Sequence, residues 1–124
     1  MEPSAPKPAP PSAGVRVMIV AAAYYEAIEK IVAATIDGAQ RVIGEAGGEY
    51  DLVQVPGALE VPGAIMAAQI ASAHGRLGAI DAYVALGCVI RGDTTHYEIV
   101  SEQSARAIMD LTINPGLLIG NGIL

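Results

Sequence analysis

The chain of 124 residues is short enough for one domain, and with 52% hydrophobic and only 16% charged residues it is not disordered throughout. Seven Lys and Arg against thirteen Asp and Glu leave a net charge of −6, which argues against nucleic acid and anionic membrane surfaces, since both are bound through basic patches. The single cysteine, Cys88, excludes an intramolecular disulfide and any metal site built from several cysteines.

Five of the eight prolines fall within Met1–Pro11. Residues 1–13 have no apolar pattern to bury and read as an extended, poorly ordered, solubilising tail, with a proline-rich partner motif as the alternative. The tail carries Glu2 and prolines rather than a basic and then apolar stretch, so no secretory signal is visible. Residues 14–124 are expected to form the folded domain. Val15–Ala21 is a short, apolar, β-branched run and reads as a buried strand. Ile28, Ile31, Val32, Ala39, Val42 and Ile43 recur at helical spacing, and Gly44 with Gly47-Gly48 ends that helix. Tyr50–Val55 is a second strand closed by Pro56-Gly57, and Pro62 suits the first turn of a second helix running to His74-Gly75. Ala82–Ile90 is a third strand; it is also the longest apolar run, too short to span a bilayer. A third helix begins near His96 with Ile99, Val100, Ala107, Ile108 and Leu111 as its buried stripe, and Leu117–Leu124 is a fourth strand.

The alternation of strands and helices predicts an α/β fold: three layers around a four-stranded parallel sheet with right-handed crossovers, flavodoxin-like, in the order 2-1-3-4. In that arrangement the first helix covers one face and the other two cover the opposite face. One face is then thinly covered for a parallel sheet, so more chain or another subunit is expected there.

Ligands of such sheets bind at the carboxyl ends of the strands, where this sequence places Tyr24, the segment Pro56–Glu60, the segment Gly87–His96 and Gly120-Asn121-Gly122. The Gly92–Thr95 segment leading into the third helix is suited to hold a phosphate on backbone amides. His96 is the candidate for proton transfer, with local helix capping as the competing role, whereas His74 reads as an ordinary C-capping residue. Glu60 either binds hydroxyl groups or favours the helix start through its charge. Tyr24 either stacks on a planar ring or packs in the core. Cys88 reads as a small apolar filler, and Arg91 pairs with a phosphate or with a carboxylate such as Asp93. The sequence has no GxGxxG, no GxxxxGK[ST] and no GxSxG motif, and its two histidines lack zinc spacing. A reaction without cofactor or metal fits best.

Together, VPGALEVP (Val55–Pro62), ALGCVIRGDTTHYEIV (Ala85–Val100) and IGNGIL (Ile119–Leu124) resemble the lumazine synthase family, over about Gly14 to Leu124. The resemblance implies a cytoplasmic transferase of riboflavin biosynthesis, built as a pentamer-based homo-oligomer and free of cofactors. It condenses 5-amino-6-(D-ribitylamino)uracil with 3,4-dihydroxy-2-butanone 4-phosphate. By motif, Tyr24 is similar to the aromatic that stacks on the pyrimidine. Ala58, Leu59 and Glu60 correspond to the ribitylamino-uracil segment, with Glu60 on the ribityl hydroxyls. Cys88, Val89 and Ile90 correspond to backbone contacts to the pyrimidine ring, Asp93 and Thr94 to the phosphate loop, and His96 to the proton donor. Asn121 falls where members place a residue lining the pocket of an adjacent subunit. Members of that family continue beyond this point through two more helices bearing phosphate-binding cations, so this chain is expected to assemble poorly or turn over slowly. The rival readings are a non-catalytic ribityl-binding or shell-forming homologue, and a flavin mononucleotide carrier.

Overall fold

A computed structural model describes residues 14–23, 26–90 and 96–124; the expected proline-rich tail lies outside the described residues. Its organising element is β1 (Arg16–Ala22), whose last six residues are all buried. A strand with six successive apolar positions has no side to offer water along that run and must be covered on both faces. Here it pairs in parallel with β2 (Glu49–Val55) on one side and β3 (Ala82–Gly87) on the other, and β4 (Ile119–Ile123) joins β3. The order is β2-β1-β3-β4, all parallel, as the alternation of elements predicts.

The helices divide between the faces according to the alternation of side chains along β1. Val17, Ile19 and Ala21 pack with Ile28, Val32, Ile36 and Ile43 of α1 (Glu26–Glu45). Met18, Val20 and Ala22 pack with Val61, Ile65 and Ala68 of α2 (Val61–Ala73) and Ile108 of α3 (His96–Ile113). One helix therefore covers one face and two cover the other. The first helix ends where expected: Gly47 takes the left-handed φ of 81°, and the Gly48 N–H donates to the Ile43 carbonyl at 2.9 Å.

Periodicity misplaces some residues. Ile31 and Val42 of α1 and Ile99 of α3 are exposed rather than part of the buried stripes, because one stripe on a helix of this length drifts around the axis and admits only about a third of its positions. Ile36 and Ser104 occupy the buried faces instead. The third strand stops at Gly87, short of Ile90, because its ladder partner β1 ends at Ala22, opposite Gly87. The fourth strand covers Ile119–Ile123 rather than Leu117–Leu124. A short 3-10 turn at Ala58–Glu60, between β2 and α2, has no counterpart in the sequence reading.

The amino ends of the strands are tied by charge. The Arg16 Nε donates to Asp51 Oδ2 at 2.6 Å, and its backbone N–H donates to Asp81 Oδ2 at 2.8 Å. The hydrogen bond and the charge of Asp51 raise the Arg16 pKa further above its ordinary value. This cluster sits at the amino end of β1, the sheet end opposite the site described below.

Two outcomes follow from this packing. Ile65→Ala removes a fully buried side chain and is expected to cost about 2–5 kcal/mol in denaturant unfolding, whereas Val42→Ala on the exposed side of α1 changes stability by less than about 0.5 kcal/mol. The second concerns Tyr83, buried at 2% exposure, whose phenol donates to Gln69 Oε1 at 2.9 Å. Burial raises its pKa above the ordinary value. Because the folded state holds that proton more tightly, the contribution is complete below about pH 10 and is lost as pH rises through the folded value. Unfolding midpoints measured across the alkaline range should therefore fall less steeply with pH in Tyr83→Phe than in the parent.

Candidate active site

The last ladder partners of β1 are Val55 on one side and Gly87 on the other, both opposite Ala22. Beyond them neither neighbouring segment pairs with β1 any longer. Pro56-Gly57 leads β2 into the 3-10 turn, which runs directly into α2. Pro62 is accommodated in the first turn of α2, where an N–H would have no intrahelical partner. Cys88–Ile90 continues from β3 along the other side.

Between these segments lies a cleft of about 470 Å³, within the range of about 300–1,000 Å³ usual for small-molecule sites. Ala22, Ile28 and Val100 give it an apolar floor; Ala58, Leu59 and Glu60 form one wall; Cys88, Val89 and Ile90 form the other; His96 stands at the start of α3 on its rim. Among the described residues its ionisable oxygen and nitrogen groups come from separate elements, a carboxylate from the β2–α2 connection and an imidazole from the first residue of α3.

Glu60 occupies the N-cap position of α2, yet its side chain makes no capping hydrogen bond. Its carboxylate lines the cleft with no capping hydrogen bond to hold it, an arrangement compatible both with hydroxyl binding and with a charge that favours the helix start. The Val89 N–H donates to the Leu124 carbonyl at 2.8 Å, and the Leu124 N–H donates to the Gly87 carbonyl at 2.9 Å. These bonds fix the Cys88–Ile90 wall against the end of β4 and commit the Val89 amide proton to protein. Cys88 is half-buried, packing on the α1 side of the sheet while touching the cleft, so it is both filler and wall.

Seven residues singled out from the sequence therefore meet in one cleft: Ala58, Leu59, Glu60, Cys88, Val89, Ile90 and His96. Asn121 does not line it; it lies on β4 opposite Ala85, and its Oδ1 accepts a hydrogen bond from the Ile123 N–H at 3.0 Å. His74 closes α2, its Nδ1 donating to the Ile70 carbonyl at 2.9 Å, as a C-capping residue should. Tyr24, Arg91, Asp93 and Thr94 lie outside the described residues. Sequence reasoning missed the floor residues Ile28 and Val100 as ligand neighbours. Both carry the same helical spacing as core residues, and that spacing does not separate a side chain facing a cavity from one facing a neighbour.

Among the described residues no group of three or more His, Cys, Asp or Glu is placed to hold a metal ion. No helix of the described residues is long and apolar enough to cross a membrane.

An open parallel sheet of order 2-1-3-4, with a largely apolar crevice at its carboxyl end that Glu60 and His96 line, defines an α/β protein of the flavodoxin-like class. Residues 14–124 match the family model described as 6,7-dimethyl-8-ribityllumazine synthase, and the chain belongs to that family. It is 50% identical over 111 residues to the 6,7-dimethyl-8-ribityllumazine synthase of Nitrobacter winogradskyi, covering 90% of this chain and 66% of that protein. The protein of the same description from Bartonella henselae is 51% identical over 110 residues, 89% of this chain and 66% of the relative. The one from Methylobacterium radiotolerans is 50% identical over 122 residues, 98% of this chain and 69% of the relative. The chain thus spans about two thirds of the length of the curated relatives it matches.

Proposed function

We propose that the cleft binds 5-amino-6-(D-ribitylamino)uracil and condenses it with 3,4-dihydroxy-2-butanone 4-phosphate to give 6,7-dimethyl-8-ribityllumazine, phosphate and water. The observation that carries this reading is that one cleft gathers Glu60 and His96 from separate elements and closes around them with the Ala58–Glu60 and Cys88–Ile90 walls. The relatives bear the name of that enzyme.

A ribityl chain is a row of hydroxyl donors, and an ionised carboxylate accepts from two of them at once; that is the task of Glu60. The planar pyrimidine lies against the apolar floor and the Cys88–Ile90 wall. Stacking by Tyr24 and phosphate binding by the Asp93-Thr94 segment complete the site on the strength of the sequence resemblance. The chemistry joins an amine to a ketone as an imine, expels phosphate, closes the ring and loses water. None of these steps requires a redox change. Holding two reactants in register supplies most of the acceleration, and His96, at the edge of the cleft, moves protons between the reacting nitrogen and oxygen atoms.

The same reading assigns the protein to the cytoplasm and to a pentamer-based homo-oligomer in which Asn121 reaches the pocket of an adjacent copy. Exposed apolar side chains support an assembly: Tyr50 and Leu52 along the edge strand β2, and Met109 and Ile113 on the outer side of α3, the last at 73% exposure.

The test is to mix the purified protein with both substrates and follow lumazine fluorescence. Product above the uncatalysed rate is expected; ligand binding with no turnover points to the non-catalytic homologue, and neither rejects the reading. His96→Ala is expected to lower kcat by about 100-fold or more while changing the affinity for the ribityl substrate much less, since general acid–base catalysis contributes a factor of about 10²–10⁴. Unchanged turnover removes His96 from the proton path. Light scattering should give a mass several times that of one chain, and a clean monomer contradicts the shared pocket.

A further inference from the structure

We infer that Gly57 is a positioning residue for the Glu60 carboxylate: its missing side chain is the space in which that carboxylate rests. Gly57 is not there for its backbone. Its φ of −149° and ψ of 173° are ordinary extended values open to any residue. What the position lacks is room. A Cβ built on Gly57 lies 3.0 Å from Glu60 Oε2, inside normal contact distance, and among the described residues other than its two chain neighbours it meets nothing else within 4 Å.

The geometry around the pair is closed by the backbone. The Glu60 N–H donates to the Gly57 carbonyl at 3.1 Å, holding the two residues at the ends of one tight turn, and both line the cleft. With the main chain held, the part able to yield to a methyl group at position 57 is the far end of the Glu60 side chain, which is flexible and anchored by no capping hydrogen bond. An added methyl group is therefore expected to leave the fold intact and to push the carboxylate a few tenths of an ångström from its resting place. Hydrogen bonds to ribityl hydroxyls depend on that place to within a few tenths of an ångström, so the cost falls on ligand binding rather than on stability. The inference rests on the proposed role of Glu60 toward the ribityl chain.

Gly57→Ala, Glu60→Ala and the double variant test it, with 6,7-dimethyl-8-ribityllumazine as fluorescent probe and 6,7-dimethyllumazine, which lacks the ribityl chain, as control. Glu60→Ala should weaken binding of the ribityl probe about tenfold or more, the usual value of hydrogen bonds to a charged group. Gly57→Ala should weaken it by about three- to tenfold in the parent and by nothing further in the Glu60→Ala background, with unchanged thermal unfolding and equal binding of the control by all four proteins. Parent-like binding by Gly57→Ala overturns the inference, as does an equal loss in both backgrounds or an equal loss toward the control. Failure of the underlying reading shows separately, as parent-like binding of the ribityl probe by Glu60→Ala alone, and takes this inference with it.

Discussion

The architecture depends on β1 being paired in parallel on both edges. Its run of apolar side chains excludes water from both faces, and parallel partners on either side force the connections from β2 and β3 to depart from the same end of the sheet. A crevice at that end is a consequence of topology, before any functional residue is chosen. The charged cluster of Arg16, Asp51 and Asp81 secures the opposite end, leaving the carboxyl end free for chemistry.

Chemical character is then added sparingly. The cleft is apolar on its floor, and among the described residues Glu60 reaches it because the β2–α2 connection is a single tight turn running straight into a helix, and His96 because it is the first residue of α3. A few polar groups on an apolar background are the usual make-up of a small-molecule cleft, where the polar groups fix orientation and shape sets the rest. In contrast, the α1 face of the sheet is lightly protected toward its edges, where Leu52 is partly exposed on β2 and β4 presents Gly120 and Gly122. The site and the thinly covered surfaces are two outcomes of the same small fold.

Much of this was legible in the amino-acid order. Strand order follows from the alternation of β-branched runs with helical spacing, and the segments Ala58–Glu60 and Cys88–Ile90 stand where strands must end. Individual helix faces were less legible: Ile31, Val42 and Ile99 fit an apolar period but face outward, since the period identifies an amphipathic helix without stating how wide its buried stripe is. Strand ends were also overdrawn. The residues Cys88–Ile90 are as apolar as the strand before them, and only the length of β1 shows that they lose their partner on that side and become a wall. The reason for a glycine at position 57 was invisible without coordinates, because it lies in the contact with a side chain three residues away.

The central claim is that the carboxyl-end crevice receives a ribityl-bearing ring with Glu60 and His96 beside the same guest. Amide chemical-shift mapping during titration with 6,7-dimethyl-8-ribityllumazine addresses it directly. The account predicts that the perturbations concentrate on Ala58–Glu60, Cys88–Ile90 and the first turn of α3. Perturbations concentrated instead around Arg16, Asp51 and Asp81, at the other end of the sheet, would contradict it.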